Sequence, residues 1–145
     1  MAVTMSVEER EAFLADLHVG VVSVSQPGRG PLTVPVWYGY TPGGMVSVIT
    51  GASSRKAKLI AEAGRFSLCA QSELPPYKYV TVEGPVTSTE VPVDPDERRA
   101  EAQRYLGPEF GDLYFEATAD SALTSCVIRM TPESWFTADF AKEYS

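Results

Sequence analysis

Ser53, Ser54, Arg55, Lys56 and Lys58 place two hydroxyls and three cations within six residues of sequence. They stand where a helix is expected to begin, and a helix N-terminus already carries about half a positive charge. Each cation there costs about 0.3–1 kcal/mol in water. An anion removes that cost, because free backbone amides, hydroxyls and cations all converge on it. A phosphate is the natural occupant. Side chains that merely reach into solvent are the competing explanation, and the charge pattern alone leaves both open. The other internal helix start, Asp94-Pro95-Asp96-Glu97, has the ordinary polarity: an Asp cap, proline in the first turn, then acids.

Other residues offer less. Trp37 follows Pro35 and Val36 on an apolar run; strand aromatics usually pack in a core, yet a proline interrupts a ladder and lets a ligand meet backbone. Lys78, between Tyr77 and Tyr79, is either a solvated lysine or a second cation for an anionic tail or an acidic substrate. Tyr77 or Tyr79 could supply a proton, although nothing in the sequence perturbs either. His18 ends the first helix and suits its C-terminal dipole, a structural role. With one histidine and no close cysteine pair, metal sites and Ser-His-Asp or Cys-His chemistry have no candidates. No Gly-x-Gly-x-x-Gly turn follows a strand, so a Rossmann site is excluded.

The elements that must hold these residues read mainly as strands. Ser6 and Glu9 form a capping box for a first helix with Val7, Phe13, Leu14 and Leu17 as apolar positions. Strands are predicted at 19–25, 32–40, 45–50, 65–71, 79–89, 123–130 and 135–137, with turns at 26–30 and 41–44. The first three strands read as two successive hairpins. Helices are predicted at 54–63 and from Asp94 to about Leu106, while 107–121 is ambiguous. Antiparallel strands with peripheral helices favour a small closed or partly closed barrel, which removes exposed edges.

The 145 residues suit one domain, 1–145, and 44% hydrophobic content suffices for a core. The net charge of −7 argues against nucleic-acid binding, though not against a small anion in a local basic cluster. No apolar run is long enough for a membrane span, no secretory pattern opens the chain, and Cys69 and Cys126 read as buried thiols. A cytoplasmic location is expected.

The segment Val46-Ser47-Val48-Ile49-Thr50, Gly51-Ala52-Ser53-Ser54-Arg55-Lys56-Ala57-Lys58, Leu59-Ile60-Ala61-Glu62 and Arg65-Phe66-Ser67-Leu68 resembles the flavin-binding core of the pyridoxamine 5′-phosphate oxidase-like split-barrel superfamily. Pro35-Val36-Trp37-Tyr38 and the stretch from Tyr77 to Gly84 resemble its subgroup that uses the deazaflavin coenzyme F420. The resemblance covers about residues 7–137. It implies an antiparallel split β-barrel, homodimeric, with cofactor clefts between subunits. It implies that Thr50 meets the ring or ribityl chain, that Ser54, Arg55 and Lys56 hold phosphate, and that Gln71 bonds the ring. The residues expected at the cofactor are thus Pro35, Val36, Trp37, Thr50, Ser53, Ser54, Arg55, Lys56, Lys58, Gln71, Lys78 and Tyr79, with no catalytic residue assigned. The implied activity is hydride transfer between F420 and a small unsaturated substrate. The alternatives are an FMN-dependent oxidoreductase, a non-catalytic flavin or tetrapyrrole carrier, and a structural dimer whose basic turn only makes salt bridges. The C-terminal Trp and Arg pattern of true pyridoxamine phosphate oxidases is incomplete, so vitamin B6 oxidation is not expected.

Overall fold

Ser6 opens the first helix by the reciprocal bonds its sequence predicts. Its hydroxyl accepts from the Glu9 amide at 3.1 Å while the Glu9 carboxylate accepts from the Ser6 amide at 2.8 Å. This helix, α1 (Val7–Ala15), sets Leu14 into the core without any exposure. In the computed structural model, which describes residues 2–144, it is followed by β1 (Gly20–Gln26), β2 (Arg29–Val36), β3 (Val46–Gly51), α2 (Arg55–Ala63) and β4 (Arg65–Gln71). The chain continues through β5 (Lys78–Glu90), α3 (Pro95–Ala117), α4 (Ala119–Ala122), β6 (Ser125–Met130), β7 (Ser134–Asp139) and a closing 3-10 turn (Phe140–Tyr144).

The seven strands are antiparallel in the order β2-β1-β4-β5-β6-β3, with β7 added on β5. The sheet curls into a half-barrel because β5 serves two neighbourhoods. Its first half pairs with β4 and β7; its second half, from Val86 and across a bulge between Val86 and Ser88, pairs with β6. Gly84 stands at the change of direction, where a Cβ would lie 1.9 Å from the Thr131 carbonyl oxygen. Only glycine allows that approach. Alternate residues of the strands fill the concave side: Val22, Val24, Phe66, Leu68, Ala70, Val80 and Val82 are buried while their neighbours are partly exposed. Ala57 and Ile60 from α2 join that core. Among the described residues no helix is long and apolar enough to cross a membrane.

Two expectations change. The strand predicted at 32–40 ends as a ladder at Val36, and β3 pairs with β6 rather than with β2. The second hairpin survives only as one bridge, Gly39 to Ser47, with amide–carbonyl bonds of 2.9 Å each way. Tyr38 explains the departure. Its fully buried ring sends the hydroxyl to the Leu14 carbonyl at 2.6 Å, and its amide bonds the Tyr105 hydroxyl instead of a neighbouring strand. The ambiguous stretch after residue 106 is helical. Gly107, at φ 86°, breaks α3, and Pro108 restarts it. The second half folds back on the first so closely that a Cβ on Gly111 would lie 2.5 Å from the Gln103 Cα. Asp112 pins the reversal by accepting from Arg99 at 2.8 Å and from Gln103 at 2.9 Å.

Candidate functional site

The end of β3 and the start of α2 meet because a strand pairs on one side and a cap forms on the other. Thr50 and Gly51 stand opposite Cys126 and Ser125 in the β3–β6 register, and the Ala52 amide bonds the Thr124 carbonyl at 2.9 Å. Ser54 then caps α2, accepting from the Ala57 amide at 3.1 Å and lying 3.3 Å from the Thr50 hydroxyl. Gly64, at φ 72°, ends the helix in the left-handed conformation that glycine favours. The first-turn amides of Arg55 and Lys56 have no carbonyl to bond within the helix.

Lys56 lines a cavity of about 600 Å3, inside the ~300–1,000 Å3 range of small-molecule sites. One wall is the barrel: Pro35, Val36 and Trp37 at the end of β2, Thr50 and Gly51 at the end of β3, and Lys56. The facing wall is helical: Arg98, Glu101 and Tyr114 from α3, then Thr118 and Ser121 around α4, with Thr124 and Ser125 leading into β6. Trp37 is clamped between the two walls. Its ring stacks on Tyr105 with centroids 4.9 Å apart and planes within 3°, and Tyr114 lies 5.3 Å away on a tilt. The Tyr105 hydroxyl fixes this seam through bonds to the His18 carbonyl at 2.6 Å and the Tyr38 carbonyl at 3.2 Å.

The basic cluster resolves into unequal members. Lys56 is half-buried in the cavity wall and has no hydrogen bond or ion pair among the described residues. Burial pushes its pKa down from the ordinary lysine value. Arg55 is exposed and its guanidinium is taken by the Gln26 side chain of the β1–β2 hairpin. Ser53 and Lys58 are exposed and do not line the cavity, and the Ser54 hydroxyl serves its own helix. Gln71, Lys78 and Tyr79 do not line the cavity, although Val21 stands opposite both Pro35 and Cys69, so that the end of β4 lies on the same side of the sheet as the end of β2. Gln71 pairs with Tyr79 across β4 and β5, Lys78 approaches Asp139 at 3.9 Å, and Tyr79 sits among Phe136 and Phe140. Five expected residues, Pro35, Val36, Trp37, Thr50 and Lys56, therefore converge on one cavity within this chain.

The helical wall was not read from the sequence. Arg98 donates to the Phe115 carbonyl at 3.1 Å and the Thr118 hydroxyl at 2.9 Å, and its guanidinium lies 3.9 Å over the Phe115 ring. Glu101 borders the cavity with its carboxyl pushed up to about 7, by burial first and by neighbouring Glu97 second. The available signal was the Gly107-Pro108 pair, which marks a reversal that folds a second helix over the first. His18 does what was expected of it: its ring bonds the Phe13 carbonyl near the end of α1 at 3.0 Å.

The donors present suit a flavin-type group. An ammonium unpaired among the described residues, beside first-turn helix amides, would suit an anionic tail, and an aromatic and backbone wall would suit a flat ring. No protein-family model and no curated protein matches the sequence. Solved structures do match in fold. A conserved hypothetical protein from Mycobacterium tuberculosis is 19% identical with a TM-score of 0.75, over 99% of this chain and 91% of that one. A protein described as an F420 reductase is 17% identical with a TM-score of 0.63, over 87% of this chain and 94% of that one. A FAD and heme binding protein from Mycobacterium smegmatis is 14% identical with a TM-score of 0.63, over 95% of this chain and 73% of that one. The chain has the split-barrel fold that these structures share.

Proposed function

We propose that this chain is an oxidoreductase that binds coenzyme F420 in the cavity between the barrel and α3, and reduces a small unsaturated substrate beside it. The observation that carries this reading is Lys56: a half-buried cation without a partner among the described residues, in the first turn of α2 and in the wall of a cavity of cofactor size. Retaining such a group is costly unless an anion joins it. The hydride chemistry would belong to the bound coenzyme, as cofactor enzymes generally arrange. Lys56 and the amides of Arg55 and Lys56 would hold the anionic tail. Thr50 and the backbone of residues 35–37 would position the ring, and the Trp37–Tyr105 stack would keep that wall flat and dry. The deazaflavin is favoured by the motif resemblance and by the description of one structural neighbour as an F420 reductase. A second copy of the chain would bring Gln71, Lys78 and Tyr79, which do not line this cavity in their own chain, to complete a cleft between subunits. The reading carries a cytoplasmic location with it.

The deciding experiment is a fluorescence titration of the pure protein with F420 and, separately, with FMN. Tight binding of F420 alone supports the proposal and justifies a screen of unsaturated acceptors. Preference for FMN moves the chain to a flavin-dependent reading. Binding of neither overturns both.

A further inference from the structure

Glu101 brings a carboxyl group to the cavity wall that the proposed cofactor site does not use. It lies in the middle of the first half of α3 and lines the cavity, yet it has no hydrogen bond or ion pair among the described residues. The isolation is specific, because the arginines around it are each committed elsewhere. Arg98, one turn earlier, bonds the Phe115 carbonyl and Thr118. Arg104, one turn later, bonds the Ala15 and Asp16 carbonyls at 2.9 and 3.1 Å. Arg129 of β6 takes Glu97, the carboxylate one turn before Glu101, in a two-pronged pair of 2.7 and 3.0 Å. From the barrel side, Lys56 shares the cavity without forming an ion pair with Glu101. Tyr105 and His18 are held by bonds to backbone carbonyls.

A half-buried carboxyl paired with no cation, with a negative Glu97 nearby, is harder to ionise. Burial and Glu97 together outweigh the attraction of Arg104 and bring it to about 7. A protonated carboxyl is a donor, which an ionised one is not.

We propose that Glu101 acts as a neutral acid in the cavity, donating a hydrogen bond from its carboxyl to a carbonyl-type acceptor on the ligand whose anionic end rests at Lys56. This rests on the cofactor reading above and adds a selectivity rule to it. A ligand with an acceptor at that point is favoured, and a further negative charge there is refused. Ionisation of Glu101 removes the donor and sets a charge against the acceptor's lone pairs, so binding and proton uptake are linked in both directions.

The test compares wild type with Glu101→Gln, which keeps a donor but cannot ionise, using F420 and FMN as probes from pH 5.5 to 8.5. A carbon-detected NMR titration of the full chain follows the Glu101 carboxyl in parallel. Wild-type affinity should fall by up to tenfold per pH unit above the Glu101 titration. Glu101→Gln should bind tightly at pH 8.5 and lack that fall, keeping only the dependence that a phosphate on the probe imposes on both proteins. Tight binding with the same pH profile in both proteins, or a Glu101 carboxyl titrating in the ordinary carboxylate range, overturns the proposal while leaving the cofactor reading standing. Failure of both probes to bind wild type at any pH overturns the cofactor reading and this inference with it.

Discussion

Replacing Lys56 by methionine should separate ligand binding from folding. The ammonium has no partner among the described residues, and burial already disfavours its charge. Methionine keeps much of the stem's apolar contact and removes the charge. Stability of the free variant should therefore hold or rise, with Tm no more than about 2 °C below wild type, since about 1 kcal/mol moves Tm by roughly 2–4 °C at this size. Affinity should move the other way. A charge-assisted bond to a phosphate contributes about 1.5–3 kcal/mol, which is roughly a 10- to 150-fold loss. Arg55→Ala is the internal control. Its guanidinium is exposed and engaged with Gln26, so its loss should cost less than about 1 kcal/mol, roughly fivefold. The assay is a fluorescence titration with F420 at fixed ionic strength, beside a thermal melt of each free variant. Lys56→Met binding as tightly as wild type, or Arg55→Ala losing as much as Lys56→Met, would refute the assignment of the anionic end to Lys56.

The free protein should lose stability as pH rises from about 4.5 to about 7, because Glu101 holds its proton longer in the native state than when unfolded. That loss should be on the order of 1–2 kcal/mol after allowing for the side chain's partial contact with water, and Glu101→Gln should be free of it in denaturant melts. Gly111→Ala forces a Cβ to within 2.5 Å of the Gln103 Cα, so the two halves of α3 must part. It should cost about 1–3 kcal/mol in stability and weaken ligand binding in the same titration, because Glu101 and Tyr114 move with those halves. Tyr105→Phe removes the hydroxyl that serves the Tyr38 amide and the His18 carbonyl; a loss of about 1–3 kcal/mol should appear in urea melts, and a smaller one would mean that solvent serves those groups instead.

How much of this was legible depended on whether the information was local. The capping box at Ser6 and Glu9, the alternation in 65–71 and 79–89, and the helix from Ser54 are matters of neighbouring residues, and the structure follows them. The partner of β3 is not local. Turn residues at 41–44 suggested a hairpin, but burial of the whole Tyr38 ring on the Leu14 carbonyl and the Tyr105 hydroxyl outweighs what a second hairpin would supply. Within the basic cluster, residue types pointed to an anion but could not rank the members. Successive helix positions are turned by about 100°, so Arg55 and Lys56 face different surroundings, and only the placement of the β1–β2 hairpin decides which is spent on Gln26. Glu101 was one acid among 19. What singles it out is the commitment of Arg98, Arg104 and Arg129 to other partners, which no sequence window contains.

The two walls of the cavity are built by different means, and that difference bears on how such a fold changes ligand. The barrel wall is fixed by strand register: Thr50 and Gly51 cannot move without shifting the β3–β6 ladder, and the Ser54 cap follows them. The helical wall hangs on a few side-chain contacts, namely the Asp112 pin, the Arg98 bonds near Thr118 and the Tyr105 hydroxyl. Substitutions in that wall leave the ladder and its backbone bonds untouched. An anion-holding turn can therefore persist while the ring end is recut from α3, so proteins alike in the barrel can differ in what they hold. Specificity in this chain is then to be sought in Glu101, Tyr114 and their neighbours, on the wall whose remodelling disturbs the barrel least.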